Sequence, residues 1–319
     1  MPHLRSTYAR TGDAVAGSCP PVVVGIDGSP GTEGAVRAAV ADARRLDAPL
    51  HLVHVVPDRF ALAAVDALVG ADLVGRGASV LAPAAAAVAR TAPDLEIGTE
   101  LRRGTVAGEL AGAGETAAAV YIGRGSPSSI GVLAGRAGTA TAGRAPCPVV
   151  SVPATWWPGR SRGGVVVALK SAAGAPELFA DAFAEADSRG DRLVVVHSWR
   201  LPDVYDDIVT ARVGRTEPGR RAAAALEVLL EEWRTSYPAV EVELRVVHDH
   251  PAAALVEASA DADLLVLVRR THGLGGAGIL GGTARAVLRD ARCPVRVLPT
   301  EGMTAVPGLV VEQAGDLVR

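Results

Sequence analysis

The sequence predicts an α/β protein built from two tandem domains, each an open five-stranded parallel sheet with helices on both faces. Two observations predict this fold class: the chain is duplicated, and short apolar runs alternate with longer helical segments. A chain of 319 residues fits two domains of ordinary size. Hydrophobic residues make up 49% and charged residues 21% of the chain, which is typical of packed cores and not of disorder.

The duplication is visible in three pairs of segments. Pro21–Ser29 reads P-V-V-V-G-I-D-G-S, and Gly164–Ser171 reads G-V-V-V-A-L-K-S. His54 and His197, each inside a later apolar run, are 143 positions apart. The strings A-P-C-P-V and A-R-C-P-V are 146 positions apart near the two ends. A period this long indicates a duplicated domain, because solenoid repeats are much shorter.

Each copy alternates continuous apolar runs, which parallel strands covered on both faces require, with helical segments. The first copy predicts strands Val22–Ile26, Leu50–Val56, Leu95–Leu101, Ala118–Ile122 and Val149–Val152, and helices Thr32–Leu46, Ala61–Arg90, Thr105–Gly114 and Arg136–Arg144. The second predicts strands Val165–Leu169, Arg192–His197, Val240–Val247, Leu264–Val268 and Val295–Leu298, and helices Glu177–Ser188, Pro218–Ser236, Ala252–Ser259 and Gly282–Asp290. Gly70, Gly75 and Pro83 are expected to break the second helix.

The domain boundaries follow from these elements. We expect a disordered tail over residues 1–20, a first domain over 21–153, a linker over 154–162, a second domain over 163–299 and a C-terminal tail over 300–319. Trp156 and Trp157 in the linker are expected to pack between the domains, with an exposed docking patch as the alternative.

Composition excludes several classes of function. A net charge of -3 and a pI near 6.2 argue against a general polyanion-binding surface, and 3% aromatic residues argue against base stacking. The sequence shows no apolar run of bilayer length and no secretory signal. We therefore expect a cytoplasmic protein that binds neither nucleic acid nor membrane.

Each half resembles a universal stress protein domain, and the whole chain resembles the tandem form common in actinobacteria. The resemblance rests on V-V-V-G-I-D-G-S, L-V-H-V-V, the paired C-P-V ends and Gly281–Leu288. It implies a Rossmann-like fold of the adenine-nucleotide alpha hydrolase type and a non-enzymatic role in stress response. It also implies that the two halves pair through their last strands as a pseudo-dimer. A homodimer and an unidentified protein partner remain open.

The family divides into members that bind ATP and members that do not. Their binding signature is Gly-x-x-Gly, nine residues, then Gly followed by Ser or Thr. Glycines let backbone N–H groups approach phosphates, and the hydroxyl adds a donor. By this resemblance the segment Gly25, Ile26 and Asp27 ends the first strand at the nucleoside, with Asp27 on the ribose, while Val55 flanks the adenine.

The phosphate loop of the first half departs from the signature. Gly125 and Gly135 keep the nine-residue spacing, but Ile122 stands at the first glycine position, with Gly123 one place late. Ile does not take a positive φ cheaply, so the loop entry must differ if that position needs one. Arg136 replaces the hydroxyl residue, although its guanidinium can itself meet a phosphate. The predicted phosphate-side residues are Ile122, Arg124, Gly125, Gly135 and Arg136, with Ser126, Ser128 and Ser129 as alternative hydroxyl donors or ordinary loop residues.

The second half departs further. Lys170 replaces the ribose-side Asp, Ser198 replaces the adenine-side valine, and Arg270 stands at the first loop glycine. Only seven residues separate the two later glycines. The weak candidate set in this half is Gly273, Gly281, Gly282 and Thr283. Any ATP binding is therefore predicted to belong to the first half.

Three functions remain open. The first is a nucleotide-responsive binding module, the second is a partner-binding protein with both pockets vestigial, and the third is an ATP-using adenylating enzyme. The enzyme is disfavoured because Gly28–Gly31 lacks the Ser/Gly-rich pyrophosphate loop of such enzymes. We predict no catalytic residue and no metal site.

Several residues carry both a chemical and a structural interpretation. His54 and His197 are expected to be strand-end histidines satisfied by backbone, with a general base as the alternative. His248–His250 is a weak metal candidate. The two C-P-V cysteines are expected to be small buried residues and not nucleophiles. For Asp27, ligand binding and helix N-capping stand as equal alternatives.

Overall fold

The computed structural model describes residues 19–57, 63–125, 131–159, 163–170, 175–201, 205, 207, 209, 217–269 and 280–299. Apart from residues 19 and 20, the predicted tails lie outside these residues, as does part of the linker. The strands of the first half are β1 (Val22–Gly25), β2 (Leu50–Pro57), β3 (Ile97–Gly104), β4 (Ala119–Arg124) and β5 (Val149–Pro153). Its helices are α1 (Glu33–Arg45), α2 (Ala63–Thr91), α3 (Val106–Ala113) and α4 (Gly131–Ala142).

The second half repeats the same order. Its strands are β6 (Val165–Ala168), β7 (Leu193–Trp199), β8 (Val242–His248), β9 (Leu264–Val268) and β10 (Val295–Leu298). Its helices are α5 (Ala175–Arg189), α6 (Glu217–Ser236), α7 (Pro251–Ala258) and α8 (Gly282–Asp290). None of the helices in the described residues has the length and apolar character that crossing a bilayer requires.

The strands of the described residues form one ten-stranded sheet in the order β3-β2-β1-β4-β5-β10-β9-β6-β7-β8. Pairing is parallel within each half, as the continuous apolar runs predicted. In the first half β1 lies between β2 and β4, so the strand order reverses on its two sides. In such sheets this switch point opens a crevice beyond the carboxyl ends of the strands.

The two halves join through their last strands. β5 and β10 pair antiparallel, with Val150 opposite Arg296 and Val149 opposite Val297. This is the contact that the family resemblance implied. The two faces of the sheet differ at this junction. On the α3, α4, α7 and α8 face, one apolar core runs across both halves and includes Val149 and Val295.

On the opposite face the apolar cores of the two halves remain separate, and buried charges connect them. Arg45 of α1 lies 3.0 Å from Glu185 of α5, and Arg189 of α5 lies 2.9 Å from Asp42 of α1. The Tyr121 hydroxyl of β4 donates to Asp42. Charged groups this deeply placed need partners, and here each half supplies partners for the other.

Arg296 completes this network from β10. Its Nε and Nη2 each donate to one carboxylate oxygen of Asp181, both at 2.8 Å. Its Nη2 also lies 3.7 Å from a carboxylate oxygen of Glu185. Burial alone would raise the pKa of Glu185. The charges of Arg296, Arg189 and Arg45 outweigh burial and lower that pKa to about 2.

The described part of the linker, residues 154–159, packs on the first half and not between the domains, so that prediction was wrong. Trp156 packs against the apolar core of the first half. Arg37 of α1 donates to the carbonyl oxygens of Ala154 and Trp156 at 2.8 and 3.0 Å. The same guanidinium lies 4.1 Å from the ring centre of Trp157, which is half exposed.

The predicted break in the second helix was also wrong, because α2 runs from Ala63 to Thr91 through Pro83. Pro83 lies on the exposed side, where water can take the place of the lost backbone hydrogen bond. On the opposite side Leu81 and Val88 are buried in the core. Their burial outweighs the local cost of proline and glycine.

Gly75→Ala is expected to raise the free energy of unfolding by about 1 kcal/mol, the usual helix-propensity difference. A Cβ at Gly75 would meet no atom within 4 Å. Gly77→Ala is the matched control in the same helix, because its Cβ would lie 2.3 Å from Leu101 Cδ1 and cancel the gain. Urea unfolding of both variants tests this, and an equal gain from both would show that α2 does not pack as described.

Candidate functional site

A cleft opens at the switch point of the first half, beyond the carboxyl ends of β1, β2 and β4. It encloses about 460 Å³, part of it open to solvent. Its lining residues are Gly25, Ile26, Asp27, Thr32, Val53, His54, Val55, Val106, Leu110, Ile122, Gly123 and Ala137. The cleft therefore brings together the predicted residues Gly25, Ile26, Asp27, Val55 and Ile122.

Asp27 follows β1 at the edge of this cleft and is exposed. One carboxylate oxygen accepts a hydrogen bond from the Ser29 backbone N–H at 2.8 Å. The N-cap residue of α1 is Thr32, so Asp27 stabilises the turn after β1 and does not cap the helix. The carboxylate is thus oriented by the chain that leads into the cleft.

His54 is held in the wall of the cleft by backbone. Its Nδ1 lies 2.6 Å from the carbonyl oxygen of Ile26, and His197 Nδ1 lies 3.0 Å from that of Leu169. A carbonyl oxygen only accepts, so Nδ1–H is the donor in both halves. The same bond at equivalent positions ties the first strand of each half to the second. This geometry supports the structural interpretation of both histidines.

The β4 side of the cleft depends on close backbone packing at Gly123. A Cβ there would lie 2.3 Å from the carbonyl oxygen of Gly31, in the turn before α1. A Cβ at Gly31 would in turn lie 3.4 Å from the Cα of Gly125. The glycine that comes one place late in the sequence thus lets β4 and the turn meet.

Ile122 needs no special backbone conformation. It lies within β4, pairs with Gly25 of β1, and its buried side chain forms part of the cleft. Among the described residues other than glycine, positive φ is confined to Asp47. The conformational cost that an isoleucine would bring at this entry does not arise.

The structure describes only part of the loop that was predicted to hold phosphates. Residues 126–130, with Ser126, Ser128 and Ser129, lie outside the described part of the chain, as does the side chain of Arg136. Helix α4 begins at Gly131, five residues earlier than predicted, so the backbone of Gly135 lies inside the helix. The phosphate-binding role of Gly125, Gly135 and Arg136 stays a prediction.

Arg124 requires a correction, because its guanidinium serves the junction between the halves. It donates to the carbonyl oxygens of Leu288 at 2.8 Å and Cys293 at 2.9 Å, beside the carboxyl end of α8. Arg269 donates in the opposite direction, to Ala145 at 3.1 Å beside the carboxyl end of α4. Burial lowers the pKa of Arg124 to about 10. These reciprocal contacts satisfy helix-end carbonyls across the interface.

The described residues of the second half differ from those that shape the first cleft. Lys170 is exposed after β6, and Ser198 is half-buried in β7. Val268 of β9 stands 145 positions after Gly123, so a branched side chain occupies the place where the first half needs none. Comparison of the fourth strands of the two copies is the sequence signal that would have shown this difference.

The structure describes only part of the weak candidate set of the second half. Gly281 is the N-cap residue of α8, while Gly282 and Thr283 form its first turn. Gly273 and Arg270 lie outside the described residues.

The histidine segment after β8 is engaged in structural contacts. His248 Nε2 lies 2.7 Å from Asp207 Oδ1, and its ring stacks on Trp199. His250 Nδ1 accepts from the backbone N–H of Ala252 at the start of α7. Across the described residues no group of three potential ligands could hold a metal ion.

The two C-P-V cysteines are buried, which raises the pKa of Cys147 to about 11 and that of Cys293 to about 12. Both thiols therefore stay protonated near neutral pH and are poor nucleophiles.

Sequence reasoning missed five contributors to the cleft, namely Thr32, Val53, Val106, Leu110 and Ala137. Thr32 and Val106 line it from the turn before α1 and from α3. Leu110 of α3 lies directly over β1, because a Cβ at Gly25 would be 3.0 Å from its Cδ1. The apolar spacing of Val106 and Leu110 on one helical face was the available signal.

A model of the Universal stress protein family matches residues 20–153 and again residues 163–299. The chain belongs to this family. The universal stress protein Rv1996 of Mycobacterium tuberculosis is 30% identical over 309 residues, which cover 90% of this chain and 97% of that protein. Universal stress protein Rv2005c of the same species is 29% identical over 293 residues, covering 86% and 96%.

Solved structures share the fold. A universal stress protein from Archaeoglobus fulgidus superposes with a TM-score of 0.65 at 17% identity, over 88% of this chain and 96% of that chain. This similarity extends over both halves. The tandem universal stress protein architecture predicted from the sequence is therefore confirmed.

Proposed function

We propose that this universal stress protein binds an adenine nucleotide in the first-half cleft and acts through binding, without turnover. The observation that carries the proposal is the pairing of an exposed carboxylate, Asp27, with an apolar wall at the switch point of the sheet. Val55, Leu110 and Ile122 offer that wall to a base. Asp27 offers an acceptor to ribose hydroxyls.

We infer that the phosphates of the ligand lie at the end of β4. Gly31, Gly123 and Gly125 bring the turn before α1 against the end of this strand, next to the cleft. The amino end of α4 follows in sequence, and a helix amino end favours negative charge. Residues Gly125, Gly135 and Arg136 are the proposed phosphate-side residues.

The same cleft is poorly equipped for hydrolysis. ATP hydrolysis needs a positioned water and charge neutralisation at the γ-phosphate. In the lining of the described cleft, Asp27 supplies the one carboxylate, and His54 is held by the Ile26 carbonyl. We therefore propose a nucleotide-responsive binding module. A second candidate, a partner-binding protein with vestigial pockets, is favoured for the second half by Lys170 and Val268.

Asp27→Ala is expected to weaken ATP binding by about 10–100-fold, because one charge-assisted hydrogen bond contributes about 1.5–3 kcal/mol. Isothermal titration of the full chain with ATP and with adenosine measures this. Lys170→Ala is the matched control at the equivalent position and should leave the affinity unchanged. Phosphate release from the same samples should stay far below about 1 s⁻¹.

Each contrary result has a distinct meaning. An equal loss from Lys170→Ala would contradict assignment to the first half. No ATP binding by the unaltered chain would favour the vestigial alternative, and rapid phosphate release would favour an enzyme.

A further inference from the structure

The junction between the halves is asymmetric at its centre. Val150 and Arg296 face each other across the β5–β10 pair. They are also equivalent positions of the two copies, because Val150 pairs with Tyr121 of β4 and Arg296 pairs with Val266 of β9 in matching registers. The axis that relates the halves therefore passes between a valine and an arginine.

Pairing two copies of the same half would place different residues on this axis. Two second halves would place arginine opposite arginine, while two first halves would place valine opposite valine. Side chains directly opposite each other on antiparallel strands lie about 4.5–5.5 Å apart at Cβ, and like charges there repel. Val150 is buried, and the Arg296 side chain is only 11% exposed, so solvent does not screen them. Arginine opposite arginine adds charge and volume to the junction, and valine opposite valine leaves a void.

The charged contacts on α1 and α5 show the same asymmetry. Arg45 reaches Glu185, but the residue equivalent to Arg45 in the second half is Ser188. Arg189 reaches Asp42, but the equivalent of Arg189 in the first half is Leu46. Each half thus carries an arginine that the other lacks. Only a junction between a first half and a second half contains both Arg45 and Arg189.

We propose that this junction is a selective interaction surface whose partner is the opposite half and not a second copy of the same half. The selectivity comes from Arg296 on the axis, Arg45 on α1 of the first half and Arg189 on α5 of the second half. The chain therefore pairs its own two halves, and the remaining compatible assembly is reciprocal exchange of halves between two chains. This inference concerns the junction and does not depend on nucleotide binding.

Val150→Arg in the full chain tests the proposal, because it recreates the axis of two second halves within one molecule. Val150→Met is the matched control, with similar length and no charge. We expect Val150→Arg to melt about 5–10 °C below Val150→Met, with faster amide exchange in β5 and β10. Equal melting temperatures and equal exchange would overturn the proposal. A Val150→Arg chain that fails to fold while Val150→Met folds would support it.

Arg45→Ser provides a second measurement, since it gives the first half the residue that the second half carries. It should speed amide exchange in β5 and β10. Arg245→Ser, which removes an exposed ion pair on β8, should not. The proposal fails if both substitutions have the same effect on these strands.

Discussion

Replacing Arg296 by methionine is expected to lower the free energy of unfolding by about 3–5 kcal/mol, the usual cost of breaking a buried ion pair by removing one partner. Methionine preserves much of the length but leaves Asp181 and Glu185 without their shared guanidinium. Both carboxylates are shielded from water at the junction of the halves, with side chains 8% exposed. Chemical denaturation of the full chain measures the loss.

Arg245→Met is the control for this experiment. Arg245 pairs with Glu243 at 2.6 Å on β8, where both side chains are about four-tenths exposed. Exposed pairs contribute at most about 1 kcal/mol. If both variants lost the same small amount, the buried network would not stabilise the junction.

The network explains why part of this fold was not readable from sequence. Asp42, Arg45, Glu185 and Arg189 have the spacing of ordinary charges on the outer face of a helix, and more than 130 positions separate the two groups. Their burial follows only after β5 meets β10. Arg296, a lone charge inside the apolar run V-R-V-L, was the one local signal.

Much of the fold was predictable, because continuous apolar runs identify parallel strands and the duplication identifies two equal five-stranded halves. Helix α2 was mispredicted because local propensity was given more weight than tertiary packing. Its buried side has Leu81, Ala85 and Val88 in the core, and this burial keeps a helix with an internal proline continuous.

The residues of the site that lie at strand ends were predictable from the sequence. The residues placed only by their spacing from the loop glycines were less predictable. Asp27 and Val55 lie at the cleft because the carboxyl ends of β1 and β2 are adjacent. Arg124, which precedes Gly125, was predicted to be a nucleotide-binding residue. It lies two residues after Ile122 in β4, on the same strand face, and that face continues toward α8. Sequence spacing specifies neither this direction nor the acceptor carbonyls of the other half.

Gly123 contributes both to the packing of β4 and to the lining of the cleft. Gly123→Ala is expected to weaken ATP binding by about 10-fold or more. The added Cβ would lie 2.3 Å from the Gly31 carbonyl oxygen and 2.9 Å from the Thr32 Cα. Both are backbone atoms, so no side-chain rotation relieves the contact. The turn must move away from β4, carrying Thr32 from the cleft wall. The associated overpacking is expected to cost about 1–3 kcal/mol of stability.

Gly138→Ala is the matched control, a second glycine beside the same strand. Its Cβ would meet Ile122 Cγ2 at 3.8 Å, an ordinary contact, and alanine favours the helix that contains it. Isothermal titration with ATP and adenosine, with thermal melting of each variant, compares the two. Because the displaced turn carries Asp27 and Thr32 of the cleft lining, Gly123→Ala should weaken both ligands. If Gly123→Ala bound ATP as well as Gly138→Ala did, the meeting of β4 and the turn would not shape the binding site.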